Sequence, residues 1–401
     1  MTLHPLRVMA QAFFLALVLG SGVPSAFAQN NVSDRWALSP VKIIDMESGV
    51  ISENRTVFIA DGRIVDIAVV GSSRDEFELI DGANGWLMPA LTEMHAHVPS
   101  SSQGQQAIDD VLTLFLAHGI TTIRGMLGEP SHLELREALA DGSVFGPRLI
   151  TSGPSFNGNT VSSPDQGVQR VGEQHSGGYD FLKIHPGLSQ DEFVAVATAA
   201  SAVNLPFAGH VSFETGLQTA LEQGQDTIDH LDSYAEAMVP PASPLYGQPP
   251  QWFGLNLAAG IDPSLAPALA RDTAAAGVWN VPTQSLFETT TGTLSVAELL
   301  ARPGMDLVAG NVQENWSGAV ENIRSQSTPE HRALFLQARQ AIIMALLEAG
   351  APLLLGADAP QIFNVPGVST HQELAYLVDA GLTPLQALQT GTINVAKFFQ
   401  E

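Results

Sequence analysis

Beyond residue 85, short apolar runs of strand length alternate with longer Ala- and Leu-rich stretches of helical period. Helix candidates such as Ala107–Ala117, Gln190–Ala202, Thr215–Glu222 and Glu330–Ala349 separate the runs, and this alternation predicts a parallel sheet of βα units. The strand candidates are Trp86–Val98, Ile120–Leu127, Arg148–Gly153, Phe181–His185, Pro206–Val211, Thr227–Leu231, Val278–Gln284 and Leu353–Ala357. Eight such units predict an α/β fold, a (β/α)8 TIM-like barrel over residues 86–401. An open doubly wound sheet is the alternative, but no glycine-rich dinucleotide fingerprint follows any strand.

The pattern before residue 85 is shorter and β-like. The runs Thr56–Ala60 and Arg63–Ile67 flank an Asp61-Gly62 pair, and such a pair between apolar runs predicts a hairpin. We therefore predict a small N-terminal β-sandwich-type domain over residues 29–85. Three later segments are long and irregular, and we expect them to be binding loops or lids; they are Pro154–Gly178, Asp232–Pro263 and Phe287–Pro329.

Residues 1–28 have the features of a secretory signal peptide. Arg7 precedes the apolar run Val8–Leu19, and small residues at Ala26 and Ala28 predict cleavage before Gln29. The run is shorter than the roughly 20 residues that a membrane span needs, and no later stretch is long and apolar enough to span. We expect a periplasmic or secreted protein with no stable membrane anchor after cleavage.

Composition narrows the class of protein further. Hydrophobic residues make up 45 % of the 401 residues and charged residues 14 %, a balance that excludes disorder, collagen and coiled coil. The formal net charge of −24 repels phosphate backbones, so we expect no nucleic-acid partner. Cysteine is absent, which excludes disulfides, thiolate metal sites and cysteine nucleophiles.

Histidines and one aspartate stand at the predicted carboxyl ends of barrel strands, where such barrels place their catalytic groups. His95 and His97 close the first strand, and residues at i and i+2 point to the same face. His210 and His230 end the fifth and sixth strands, which are neighbours, and Asp358 follows the eighth. Each position alone is common in structural roles. Together they predict a metal site at one rim of the barrel.

Lys183 is the unusual member of this set. It lies in the apolar stretch Tyr179–His185, and a buried lysine readily loses its charge. A neutral amine can react with CO2 to form a carbamate, whose oxygens can bridge two cations. The alternative from the pattern alone is a lysine that reaches solvent or pairs with an acid.

With these residues the sequence resembles the amidohydrolase superfamily, most closely its imidazolonepropionase-like branch of exported Xaa-Pro dipeptidase-like enzymes and amidases. Residues 87–97 match the signature P-G-[LF]-[IV]-[DN]-x-H-x-H, with Ala90 in place of glycine and Glu93 in place of aspartate. The later family motifs match at Lys183, at His210-Val211 with Gly216, at Asp229-His230-Leu231, at Gly356-Ala357-Asp358 and at His371–Leu374 with the stretch that runs to Ala396.

The resemblance implies a metal-dependent hydrolase of carbon–nitrogen bonds in a dipeptide or N-acyl amino acid, with a hydroxide bridged by two divalent ions, most often Zn2+. By it, His95, His97 and Asp358 hold the first ion and His210 and His230 the second, while N6-carboxylysine at Lys183 bridges them. Asp358 is then the catalytic proton carrier. The alternatives are hydrolysis of a cyclic amide, lactone or ester at the same site, or a periplasmic binding protein without turnover.

Three residues are candidates for substrate binding. His185 shares the inward face of Lys183, where the family often has tyrosine, and it either contacts substrate or packs. Arg124 ends the second strand, where the family pattern reads R-D and this chain has Gly125; it either binds a substrate carboxylate or is structural. His371 precedes the last helices and either contacts substrate or caps a helix.

The resemblance also implies strands after the last helix that complete the small β domain. This chain ends at Phe398-Phe399-Gln400-Glu401, without these strands. Either the sequence is truncated, or a partner chain or a reduced sheet covers the gap. An unpaired sheet edge favours association, and we therefore expect a homo-oligomer.

Overall fold

The computed structural model describes residues 35–401, so the predicted signal peptide lies outside the described residues. The chain divides into two compact units, of which the first comprises residues 35–42 and 53–85 of the described part and the second residues 43–52 and 86–401. A four-stranded sheet in the order β3-β2-β1-β4 is built from β1 Arg35–Ile44, β2 Ile51–Ala60, β3 Arg63–Val69 and β4 Glu78–Leu87. Strands β2 and β3 are antiparallel, with Ala60 opposite Arg63. Asp61 and Gly62 both have positive φ, as the predicted tight hairpin requires.

The second unit has parallel strands that lie close to the predicted runs but are shorter. They are β5 Leu91–Ala96, β6 Ile120–Gly125, β7 Arg148–Thr151, β8 Leu182–Ile184, β9 Phe207–Gly209, β10 Thr227–Asp229 and β11 Trp279–Val281. Strands β5, β6 and β7 form one parallel sheet and β8 to β11 a second. Parallel bridges also join Ser152 to Phe181, Asn280 to Leu353 and Ala96 to Ala359. This α/β arrangement is consistent with a TIM-like barrel.

The predicted eighth strand, Leu353–Ala357, does not form a regular strand. Its backbone amides donate to different neighbours: the Leu354 amide bonds to the Asn280 carbonyl, whereas the Leu355 amide bonds to the Thr390 carbonyl. Asp358 then takes a left-handed conformation with φ +63°, which no continuing strand adopts. The segment therefore pairs with its neighbours only through single bridges.

Helices occupy most of the connections between the strands. They are α1 Gln105–Ala117, α2 Pro130–Ala140, α3 Pro164–Gly177, α4 Gln190–Ala202, α5 Gly216–Glu222, α6 Tyr234–Ala237, α7 Ala266–Ala276, α8 Gln284–Thr291, α9 Val296–Leu300, α10 Gly310–Ser325, α11 Pro329–Ala349, α12 Val368–Asp379, α13 Pro384–Thr390 and α14 Ile393–Phe399. A capping box of Ser189 and Glu192 begins α4. The three segments expected to be irregular contain helices, including α3 and α10, so the predicted irregularity was wrong. Their role as binding loops or lids stays a prediction.

Several strands of the second unit are buried along their whole length. All six residues of β5 are buried, as are all residues of β8, β9 and β10, which agrees with strands covered on both faces. Among the described residues, none of the helices has the length and hydropathy that a membrane span requires. The buried strands end at the candidate site residues.

Candidate metal centre

His95 and His97 lie at the carboxyl end of β5, with ring centroids 5.4 Å apart. His95 is 1 % exposed, and its Nδ1 lies 2.8 Å from Asp229 Oδ2. His97 is more open, with 23 % of its side chain exposed, and its Nε2 lies 2.7 Å from Asp358 Oδ1. The i, i+2 spacing thus brings both rings to the same place, as the sequence predicted.

His230 and Asp358 reach this place through backbone that turns sharply. Both have φ +63°. The Arg339 guanidinium donates to the His230 carbonyl oxygen at 2.7 Å, and the Asp358 amide donates to the His95 carbonyl oxygen at 3.0 Å. One potential ligand atom from each of His95, His230 and Asp358 lies within 4.8 Å of the others. These three buried residues form a cluster that could hold a metal ion.

His210 extends this cluster. Its ring centroid is 4.6 Å from that of His230, and its Nδ1 lies 2.7 Å from Asp232 Oδ2. His185 stacks on His210 at 4.9 Å, so its ring lies beside the cluster, where the sequence left substrate contact and packing open. In the structure, His230 lies together with His95 and Asp358. The family resemblance instead implies that His97 holds the first ion with His95 and Asp358.

The buried imidazoles are neutral near pH 7. Burial, followed by neighbouring positive charge, lowers the pKa of His95 and His230 well below the ordinary value, and lowers that of His210 to about 3. Asp229 Oδ2 accepts a hydrogen bond from Nδ1–H of His95, and Asp232 Oδ2 accepts one from Nδ1–H of His210. Burial raises the pKa of Asp232 to about 8, but its Oδ2 also accepts from the Val211 amide and is therefore an acceptor. The Nε2 lone pairs of these two rings are therefore free, which is the state in which histidine binds a metal.

Lys183 is fully buried on β8, and its amine has no hydrogen-bond partner among the described residues. Burial lowers the pKa of this amine to about 8. The space it occupies depends on Gly209, where an added Cβ would lie 3.0 Å from Lys183 Nζ and 2.5 Å from the Ile184 carbonyl oxygen. An amine without a partner in such a place requires a further binding group or a loss of charge.

Arg124 and His371 have other partners. The buried Arg124 guanidinium donates to the Met94 carbonyl oxygen at 2.7 Å and to Thr227 Oγ1 at 3.1 Å, and lies 3.4 Å from Asp229 Oδ1. The sequence left open whether Arg124 binds a substrate carboxylate or is structural, and these contacts indicate the structural role. His371 is exposed on α12 and donates from Nε2 to the His118 carbonyl oxygen at 2.8 Å, so it lies outside the cluster.

Sequence reasoning missed the carboxylates that orient the rings. Asp229 receives hydrogen bonds from His95 and from Thr227 Oγ1, at 2.8 and 2.7 Å, and contacts Arg124. Asp232 orients His210. The available signal was the local sequence Asp229-His230-Leu231-Asp232, in which acids flank a predicted ligand. What it did not reveal is that these acids bind His95 and His210.

We expect Asp229→Asn to weaken both the metal site and the fold. The change leaves the buried Arg124 without its counter-charge, which costs about 3–5 kcal/mol of unfolding free energy, and weakens the bond that orients His95, which costs about 10–100-fold in metal affinity. Urea unfolding and zinc titration measure the two effects. Asp66→Asn, which breaks the exposed pair with Arg74, is the matched control and should change stability by less than about 1 kcal/mol. Equal effects of the two variants would contradict the prediction.

Comparisons with known proteins agree with this picture. A model of the amidohydrolase family matches residues 86–400. The fold is similar to that of a bottromycin amidohydrolase, with a TM-score of 0.66, 21 % identity and coverage of 92 % of this chain and 79 % of that one. For a putative prolidase from Bifidobacterium longum the TM-score is 0.66 and the identity 22 %, with coverage of 92 % of this chain and 84 % of that one. For a Xaa-Pro dipeptidase with bound methionine the TM-score is 0.63 and the identity 19 %, with coverage of 91 % of this chain and 89 % of that one. A search of curated proteins gave no match.

The chain belongs to the amidohydrolase family, because the family model covers most of its length, including every residue of the cluster. It is therefore a hydrolase acting on carbon–nitrogen amide bonds. Members of this family are typically metal-dependent, and the buried His95, His230 and Asp358 cluster meets that requirement.

Proposed function

We propose that this protein hydrolyses the amide bond of a dipeptide or N-acyl amino acid at a centre of two divalent metal ions, most often zinc. The observation that carries the proposal is the meeting of His95, His230 and Asp358 within 4.8 Å, beside His210 and a buried amine. The similarity in fold to a prolidase and a Xaa-Pro dipeptidase supports a small peptide substrate. The proposed ligands are His95, His97, Lys183, His210, His230 and Asp358.

The donor set fits such ions. Zn2+ is bound by neutral imidazole nitrogen and carboxylate oxygen, and His95 and His210 each have one ring nitrogen free for it, because the other nitrogen bonds to a carboxylate. When bound, the ions would polarise the scissile carbonyl and lower the pKa of an attacking water. Asp232 and Asp229 hold the two rings in the required tautomer.

Asp358 is the proposed proton carrier. Its carboxylate is nearly buried, lies 2.7 Å from His97 Nε2 and 3.5 Å from His95 Nε2, and stands at the rim where the strands end. In the forward reaction it accepts a proton from the attacking water and passes it to the leaving nitrogen, which departs as a neutral amine.

Lys183 is the proposed carbamate. Its neutral amine attacks the carbon of CO2, a nitrogen–carbon bond forms, and the displaced proton leaves to solvent. The product has two oxygen ligands and a negative charge at a position where the lysine amine has no protein partner. The lowered pKa of about 8 favours the neutral amine that this reaction needs.

We further propose that the strands of the second unit close into a (β/α)8 barrel. The parallel bridges from Ser152 to Phe181, from Asn280 to Leu353 and from Ala96 to Ala359 support a continuous circuit. Export rests on the sequence of residues 1–28 alone and is proposed on that ground.

Metal content and turnover test the proposal together. The purified chain is stripped with a chelator, reloaded with zinc and bicarbonate, and analysed by elemental mass spectrometry alongside hydrolysis of dipeptides and N-acyl amino acids. We expect about two ions per chain and hydrolysis only in the loaded protein. One ion per chain would contradict the two-metal centre. Failure to bind zinc, or zinc binding without hydrolysis of any amide, would contradict the proposed activity.

A further inference from the structure

A cavity of about 320 Å³ opens beside His97. Its wall is formed by the segment that follows β5, by the segment between β6 and α2, by His132 in the first turn of α2, and by Pro360, two residues after Asp358. Because His97 bonds to Asp358, the cavity adjoins the proposed centre directly. A substrate bound there would extend part of its structure into this space.

Glu129 places a fixed negative charge in the wall. Its carboxylate accepts hydrogen bonds from Ser100 Oγ at 2.8 Å, from the Ser101 amide at 2.7 Å and from Ser131 Oγ. These bonds, chiefly that from Ser131, hold the pKa of Glu129 at about 2. All three donors are neutral, and no ion pair between Glu129 and a cationic side chain occurs within residues 35–401. The carboxylate is therefore ionised at neutral pH and has no cationic side chain as a partner within residues 35–401.

His132 also lines this cavity and is a neutral residue. The residue is 2 % exposed, and its Nε2 lies 3.3 Å from the Pro99 carbonyl oxygen. A carbonyl only accepts hydrogen bonds, so Nε2 bears the proton and Nδ1 presents a lone pair. Burial lowers the pKa of His132 and keeps the ring neutral. Within the described part of the chain, Nδ1 has no hydrogen-bond partner.

The wall has acceptors but no cation. Lysine and arginine are absent from the residues that line the cavity, and the guanidinium of Arg124 is occupied by Met94 and Asp229. A substrate carboxylate in this cavity would meet the negative charge of Glu129, whereas an ammonium group would meet a carboxylate of opposite charge. The side chains of the cavity wall therefore favour a cation.

We propose that this cavity binds the ammonium group of the substrate, with Glu129 as a specificity-determining residue. The inference rests on the proposed function and deepens it, since it selects substrates with a free amino group over N-acyl amino acids. The ammonium comes either from the amino terminus of an unblocked dipeptide or from a basic side chain, and the two sources share the same chemistry.

Paired substrates and a conservative variant test the proposal. We expect the zinc-loaded protein to cleave leucyl-alanine with a higher kcat/KM than N-acetyl-leucyl-alanine, and Glu129→Gln to lower kcat/KM for leucyl-alanine by about tenfold or more, chiefly through KM. The acetylated peptide should be unaffected by the substitution. N-acetyl-lysyl-alanine distinguishes the sources, because a preference for it over N-acetyl-leucyl-alanine assigns the cavity to a basic side chain.

Two further variants guard against a purely structural effect. Glu129→Asp keeps the charge and should retain most of the preference for the unblocked peptide. Glu137→Gln, on the exposed face of α2, should leave kcat/KM for both peptides unchanged. Equal cleavage of blocked and unblocked peptides by the wild type, or equal losses for both in Glu129→Gln, would overturn the inference.

Binding separates this inference from the proposed activity. If the loaded protein cleaves no peptide, the proposed function fails, and calorimetric titration of the same peptides still tests the cavity. Tighter binding of leucyl-alanine or N-acetyl-lysyl-alanine than of N-acetyl-leucyl-alanine, lost in Glu129→Gln, supports the inference without turnover. Equal binding of all three peptides overturns it.

Discussion

Asp358→Asn is expected to lower kcat/KM for amide hydrolysis by about 10⁴-fold, the upper end of what a positioned general base contributes. Asparagine keeps the size of the side chain but cannot take a proton from water at neutral pH. The left-handed conformation of residue 358, with φ +63°, is one that asparagine adopts readily. The backbone that brings this residue to His95 should therefore survive the change.

Steady-state rates of the zinc-loaded variant, its metal content and its thermal unfolding measure this effect. Asp61→Asn is the matched control, because Asp61 is also an aspartate at positive φ and is exposed in the hairpin of the first unit. It should retain wild-type activity. An Asp358→Asn protein with bound metal and more than about a tenth of wild-type activity would exclude Asp358 as the proton carrier.

Lys183→Met is expected to have opposite effects on activity and stability. Loss of the proposed carbamate should reduce activity by more than about a hundredfold, since even residues that only support a ligand cost 10–100-fold, and should lower metal content from two ions per chain. In the metal-free protein the same change should raise the unfolding free energy at neutral pH by about 3 kcal/mol, because burial lowers the pKa of Lys183 from 10.5 to about 8.

The pH dependence of stability provides a separate signature. Between pH 8 and 10.5 an unfolded lysine stays protonated while the buried Lys183 is neutral, so the unfolded state binds more protons and stability rises with pH. Metal-free wild type should show this rise in urea unfolding. Lys183→Met should show a smaller rise, because the pKa of Arg339, lowered by burial to about 9, contributes in both proteins. Lys397→Met, at an exposed position on α14, should keep the full rise. A wild type with a rise no larger than that of Lys183→Met would contradict a buried, unpaired amine.

The sequence predicted helices better than strands. The bounds of α4 agree with the prediction because its beginning is marked locally, by the Ser189 and Glu192 capping box. The first barrel strand was predicted over Trp86–Val98 but covers only Leu91–Ala96. The pattern of apolar residues indicates which residues are buried. Where a strand ends depends instead on hydrogen bonds to neighbouring strands that are distant in the chain.

In the candidate metal centre, too, the local sequence predicted some residues, whereas others depend on contacts between distant parts of the chain. His95, His97, His210, His230 and Asp358 could be found because each follows an apolar run, and strand ends meet at one rim. The bond from His95 to Asp229 joins residues 134 positions apart, and nothing local predicts it. Arg124 is similar: its role is decided by Met94 and Asp229, which only the packing of three strands brings together.

The proposed metal ligands are ring nitrogens, a carboxylate and one lysine, and the chain has no cysteine. None of these ligand groups lies on the thiol oxidation series that runs from sulfenic to sulfonic acid, so peroxide has no sulfur ligand to attack. Hard and borderline cations suit such donors, whereas Cu(I) prefers sulfur. A centre of this composition is therefore vulnerable to protons and to chelators rather than to thiol oxidants.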